Sequence, residues 1–214
     1  MQTVTVIINN RDLLTWPKEM LSCIVKYEGL CNIIIVDNDS TYPPLLEWYS
    51  WGPCKVVRLG ENRGHTSPFR EDIISQVSTD LFVVTDPDLG LLDVPTDVLL
   101  KMADYMSKYP VNKIGLSLNY KVVPKESVYY NHVNSHEKGC WEGPRTYPGL
   151  IDAAVDTTFA IYSKSRSAYA VNGYRMDFPY TARHYPWEIV EPNEEFIYYL
   201  DHANSSCTYL NFRR

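Results

Sequence analysis

The chain has 214 residues, 45% of them hydrophobic, and a formal charge of −6, enough for one domain with a substantial core. No run of Lys or Arg exceeds two residues, which argues against an extended nucleic-acid groove. No apolar run reaches the roughly 20 residues that a membrane-spanning helix needs.

The amino terminus enters a strand pattern directly, with no leader-like apolar segment. Cys23, Cys31, Cys54, Cys140 and Cys207 are odd in number and lack CxxC spacing. They read as reduced, mostly buried thiols of a cytoplasmic protein. Asn38-Asp39-Ser40 and Asn204-Ser205-Ser206 then count as accidental glycosylation sequons. The chain stops at Arg213-Arg214 without a terminating motif, which fits a domain cut from a longer chain; as a domain it is expected to be monomeric.

Val4 to Ile8 predicts a strand, and Thr15 with Pro17 predicts the start of a helix that Gly29 closes. Ile33 to Val36 predicts a second strand and Pro43-Pro44 a short aromatic helix ending at Gly52. Lys55 to Leu59 predicts a third strand, Ser67-Pro68 another helix, and Leu81 to Val84 a fourth strand. This β-α-β-α-β-α-β rhythm calls for a parallel sheet with right-handed crossovers. Beyond it, Thr96 caps a helix and Lys113 to Leu118 predicts a strand. A polar, aromatic loop is expected over 120–152, and another strand over Thr157 to Tyr162.

Each of the first four strands ends in polar residues: Asn10 and Arg11, Asp37 and Asn38, Asn62 and Arg63, Asp86 and Asp88. In a parallel sheet these ends share one edge, where ligands bind. Asp86-Pro87-Asp88 sets two carboxylates one residue apart in extended chain, braced by proline. Such a pair suits Mg²⁺ or Mn²⁺ shared with phosphates, or is simply a polar turn. No G-x-G-x-x-G follows the first strand and no P-loop is present, so a glycine-rich phosphate cradle is disfavoured.

Taken together, Val4-Thr5-Val6-Ile7-Ile8 with Asn10-Arg11, Val36-Asp37-Asn38 with Ser40, Glu61-Asn62-Arg63-Gly64 and Asp86-Pro87-Asp88 resemble the family-2 glycosyltransferases of the GT-A fold. The resemblance covers residues 3–90. The second and third motifs look most like the branch containing many rhamnosyltransferases. Phe159-Ala160-Ile161-Tyr162 and Ala182 to Trp187 look like a subgroup of small bacterial and large-virus transferases. The whole chain is similar to the amino-terminal domain of a multidomain chlorella-virus enzyme. The first turn is shorter than the family's, and the family's acceptor-side Glu-Asp pair appears as Glu194-Glu195.

This resemblance implies an α/β GT-A domain with a mostly parallel central sheet flanked by helices and a smaller acceptor-side subdomain. Residues 1–214 form the single domain, with 1–92 as the nucleotide-sugar half and 93–214 as the acceptor half. The implied activity is metal-dependent, inverting transfer of glucose or a deoxyhexose such as rhamnose from a UDP-sugar to a glycan or glycoprotein. Mn²⁺ or Mg²⁺ would sit on Asp86 and Asp88, with His184 as a further metal or diphosphate ligand. Asn10, Arg11, Asp37, Asn38, Asn62, Arg63 and Asp86 would line the nucleotide, although Asn62 and Gly64 also fit plain turn chemistry. Asp156, Glu195 and Glu188 are the candidates for the acceptor-side base.

Two other readings compete. A sugar nucleotidyltransferase would want a glycine-rich basic loop where Asn9-Asn10-Arg11-Asp12 stands, and a non-catalytic binding module would tolerate loss of Asp86 and Asp88. Trp187 and Tyr185 read either as sugar-stacking faces or as a plug between tail and sheet. His132, His136 and Cys140 recur every four residues, which on a helix would align three zinc ligands. Asn131, Asn134 and Gly139 make that segment read as loop, which disfavours zinc.

Overall fold

Val and Ile crowd into short unbroken runs, the pattern of parallel strands covered on both faces. They form β1 (Val4–Asn10), β2 (Leu30–Asp37) and β4 (Leu81–Thr85), with the shorter β3 (Lys55–Arg58) beside them. The computed structural model describes residues 3–166 and 171–203. Cys207, the second sequon and the terminal arginines lie outside them.

Side chains alternate across the sheet with period two. Val4, Val6 and Ile8 therefore face one core with Ile33, Ile35 and Val83, while Ile7 faces the other with Ile34, Val36, Phe82 and Val84. The first core is covered by α1 (Thr15–Ile24), α2 (Pro43–Ser50) and α4 (Val98–Lys108), the second by the short α3 (Glu71–Ile74).

The segment predicted as one strand from Lys113 to Leu118 divides at buried Leu116. Its first part, β6 (Lys113–Gly115), joins the main sheet, and its second, β7 (Ser117–Leu118), leaves it. β8 (Leu150–Asp152), β9 (Ala160–Ser163) and β10 (Tyr174–Met176) complete an eight-stranded sheet of order β3-β2-β1-β4-β9-β6-β10-β8. Only β9 and β8 run against the rest. The architecture is thus mixed α/β, with a large, mostly parallel sheet flanked by helices.

A second, three-stranded sheet orders β5 (Leu89–Gly90), β11 (Thr181–His184) and β7 as β5-β11-β7. The tail closes with α6 (Tyr185–Glu188) and α7 (Glu194–His202).

The loop expected over 120–152 contains a three-turn helix, α5 (Tyr130–Trp141). Val133, Glu137 and Trp141 form its inward stripe at four-residue spacing. Val133 and Glu137 are buried, and the Trp141 indole donates to Leu118 O at 2.9 Å. One member of that stripe is a carboxylate, so no apolar periodicity marks the helix in the sequence. Tertiary burial outweighs the low helix propensity of its Asn and Gly residues.

Among the described residues Cys23, Cys31, Cys54 and Cys140 are free thiols, as expected. Only Cys23 is buried, so the expectation of mostly buried thiols is not met. No described helix is long and apolar enough to cross a membrane.

Candidate active site

β1, β2, β3 and β4 are parallel neighbours, so their carboxyl ends lie side by side. Asp86 follows β4 directly and Asp88 precedes β5, with Asp86 half-buried and Asp88 buried. Burial, followed by the nearby charge of Asp88, holds the Asp86 carboxyl well above the usual carboxylate range.

The second sheet brings the tail to this pair. β11 runs antiparallel to β5, pairing His184 with Leu89, and Tyr185 N donates to Asp88 O at 3.0 Å. His184 Nε2 thereby lies 3.9 Å from Asp88 Oδ1, with its ring stacked on Trp187 at 4.2 Å. Burial lowers the His184 pKa against the opposing pull of Asp88, favouring the neutral imidazole that can ligate a metal. Two carboxylates and a neutral imidazole are a donor set that fits Mn²⁺ or Mg²⁺.

The loop carrying Asp156 is anchored from every side. Arg175 Nε donates to Ala154 O at 2.7 Å and Lys113 Nζ to Val155 O at 2.6 Å. Both cations are buried, Arg175 by pairing with buried Glu137 of α5. Burial pulls the Lys113 ammonium down to about 8, against Asp156 and Asp86, which raise it.

Val155 N donates to Val171 O at 2.8 Å, and its side chain wedges between two glycines. A Cβ on Gly115 would meet Val155 Cγ1 at 2.4 Å, and one on Gly173 would meet Val155 Cγ2 at 3.3 Å. Thr157 then locks the loop to the Asp86–Asp88 pair. Its hydroxyl donates to Asp86 Oδ2, and Asp86 N donates to Thr157 O at 3.0 Å. Asp156 is exposed between these anchors, at the same edge as Asp86. Sequence reasoning missed Lys113, Glu137, Thr157 and Arg175, because no local pattern marks a residue whose partner lies tens of positions away.

The other two base candidates are committed elsewhere. Glu195 caps α1: its Oε1 accepts from Leu14 N at 2.7 Å and Thr15 N at 2.9 Å, and its Oε2 accepts from the Thr15 hydroxyl at 2.6 Å. Thr15 is therefore the first residue of α1 and its expected capping role falls to Glu195, whose negative charge suits a helix amino terminus. Glu188 forms a two-point ion pair with Arg183 and is largely buried.

If Glu195 is a cap, Glu195→Ala should cost about 1 kcal/mol of stability. Turnover per folded molecule should remain close to wild type, as urea unfolding and steady-state rates would report. A hundredfold loss of turnover in a folded Glu195→Ala protein would restore it as the base.

The expected nucleotide-lining residues divide. Asn10, Asp37 and Asn38 are buried rather than displayed, because each satisfies neighbouring loop backbone or side chains. Asn10 Nδ2 donates to Leu13 O and to the Tyr49 hydroxyl, each at 2.8 Å. Asn38 Oδ1 accepts from Arg63 N at 2.7 Å while its Nδ2 donates to Gly64 O at 3.0 Å, so it organises the 62–67 loop. Asn62 Oδ1 accepts from Gly64 N at 3.0 Å, which is the turn chemistry offered as its alternative role.

Asp37 Oδ2 accepts from Arg58 Nε at 3.1 Å, whereas its buried Oδ1 has no hydrogen-bond partner among the described residues. Arg11 lies beside Asp12 at 3.7 Å, and Arg63 pairs with Glu61 on the surface. Tyr185 and Trp187 pack as a plug: a Cβ on Gly90 would meet the Tyr185 ring at 2.6 Å, and the Tyr185 hydroxyl donates to Glu19.

The raised Asp86 carboxyl has a pH consequence. An acid whose pKa is raised in the fold contributes stability that is present below its unfolded value and lost as pH rises through the folded value. A cation on the pair must displace that proton. The rise in melting temperature on adding Mn²⁺ should therefore be smallest in acid and grow as the pH is raised. A thermal-shift series with and without Mn²⁺ checks this, and a rise that is constant with pH would mean Asp86 holds no displaceable proton.

No protein-family model matches the chain, and no curated protein matches it. Among solved structures, the 1–349 segment of S. aureus TarS is 14% identical, with a TM-score of 0.47, over 77% of this chain and 48% of that one. A mycobacterial protein is 12% identical, with a TM-score of 0.50, over 77% of this chain and 54% of that one. A CMP:2-keto-3-deoxy-manno-octonic acid synthetase complexed with CTP is 9% identical, with a TM-score of 0.46, over 78% and 76%. The chain spans only 22% of another TarS structure. At these identities the likenesses concern the fold alone. The viral resemblance rests on the sequence motifs and is not shown by these structures.

Proposed function

We propose that the chain is a metal-dependent, inverting glycosyltransferase of GT-A type, taking a hexose or deoxyhexose from a UDP-sugar to a glycan hydroxyl. The observation that carries this reading is the Thr157–Asp86 bond. It ties the loop of an exposed carboxylate, Asp156, to a pair of half-buried Asp86 and buried Asp88 at the carboxyl edge of a parallel sheet. That arrangement supports a reading of Asp156 as a base beside a hard-cation site, as displacement of a nucleoside diphosphate requires.

Asp86 and Asp88 would hold Mn²⁺ or Mg²⁺, with His184 beside them. When bound, the cation supplies charge stabilisation to the departing diphosphate. Asp156 takes the proton of the acceptor hydroxyl as its oxygen attacks the anomeric carbon, and the bond to the diphosphate breaks on the opposite face, inverting the centre. The rigid 154–157 loop keeps Asp156 in place through that step, so little reorganisation is needed. Asp37 Oδ1, buried at the end of β2, offers an acceptor to the nucleoside, and Arg11 and Arg63 offer charge to the diphosphate.

The test is a thermal-shift panel of nucleotide sugars with and without Mn²⁺, since a ligand that binds only the folded state raises its stability. UDP-sugars should stabilise the protein, and only with Mn²⁺. Stabilisation by UTP plus a sugar phosphate, with pyrophosphate release, would replace this reading with nucleotidyl transfer. No response to any nucleotide would leave a non-catalytic module.

A further inference from the structure

The helical state of 130–141 reopens the His/Cys spacing that a loop would have scattered. On α5, His132, His136 and Cys140 follow one another at one-turn intervals, and the His132 and His136 rings lie parallel with centroids 6.1 Å apart. His136 Nε2 is 3.8 Å from Cys140 Sγ and 3.8 Å from Glu137 Oε1, and the three ligand atoms all lie within 4.8 Å of one another.

Zinc bonds of about 2.0–2.3 Å at tetrahedral angles put ligand atoms about 3.4–3.6 Å apart. Small side-chain adjustments at the two outer residues would close the difference. Glu137 is already fixed: its other oxygen is held by Arg175, which in turn is held by Ala154 O. That is the outer-shell support a metal-ligating carboxylate usually has.

We propose that His136, Glu137 and Cys140 form a Zn²⁺ site, with water in the fourth position or His132 from the preceding turn. The donor set is one imidazole nitrogen, one carboxylate oxygen and one thiolate sulfur. It selects a borderline-soft ion and separates this site from the all-oxygen and imidazole set around Asp88. Binding exchanges the Cys140 S–H bond for an S–Zn bond and releases the proton to solvent.

Co²⁺ is the probe, because it takes zinc's geometry and absorbs light where Zn²⁺ does not. Titrating the wild-type chain should yield a thiolate-to-cobalt charge-transfer band, and Zn²⁺ should abolish it. His136 is exposed and Cys140 partly exposed, so His136→Ala and Cys140→Ser should fold normally. Cys140→Ser should lose the band, and His136→Ala should weaken binding at least about tenfold. Asp88→Ala should leave the band unchanged. The proposal is overturned if the wild type shows no thiolate band, if the band survives Cys140→Ser, or if Asp88→Ala removes it.

Discussion

Asp88→Ala is expected to lower sugar transfer by at least about a thousandfold and to abolish the Mn²⁺ dependence of UDP binding. The side chain is buried, with the His184 imidazole 3.9 Å away, and its loss leaves Asp86 as the one carboxylate of the pair. Its backbone carbonyl, which accepts from Tyr185 N, is untouched by the substitution, and the β5–β11 pairing should survive. The variant should therefore fold without loss of stability in the absence of Mn²⁺, because removing one carboxylate relieves the repulsion that adds to burial in raising Asp86. Calorimetric titration of UDP with and without Mn²⁺ separates the outcomes. Unchanged, Mn²⁺-dependent UDP affinity in Asp88→Ala would end the case for a cation on this pair.

Asp156→Asn should lower turnover by about 10²–10⁴-fold while leaving UDP and Mn²⁺ binding near wild type, the signature of a group that acts on the acceptor proton. The substitution is nearly isosteric on a loop held by Arg175, Lys113 and Thr157, so the backbone has no reason to move. Glu195 and Glu188 cannot take over the role, because the first caps α1 and the second is paired with Arg183. Loss of the acid-side limb of the pH–rate profile in Asp156→Asn would support proton transfer. A variant with full turnover would move the base elsewhere.

Much of the amino-terminal half was legible because its signals are local. A buried parallel strand announces itself as a run of Val and Ile, and glycines at Gly29 and Gly52 mark turns whose φ values are positive. The helix at 130–141 was hidden because its inward stripe includes Glu137, buried only by virtue of Arg175 on a strand 38 positions later. The division of 113–118 between two sheets was hidden as well. Nothing local distinguishes Gly115, paired in the main sheet, from Ser117, paired in the small one.

By itself, the sequence determined the β-α alternation, the shared edge of the first four strands and the carboxylate pair at Asp86 and Asp88. Each follows from short-range patterning and from the parallel-sheet rule. Which acidic residue is left exposed at the edge shared with Asp86 was decided by tertiary structure alone. Asp156, Glu188 and Glu195 are chemically alike in the sequence, and only their partners separate them. Glu195 meets the bare N–H groups of α1 180 residues away, Glu188 meets Arg183 across a turn, and Asp156 is exposed on a loop bonded to Asp86. A carboxylate's role depends on which donors reach it, and those contacts exist only once the chain has folded.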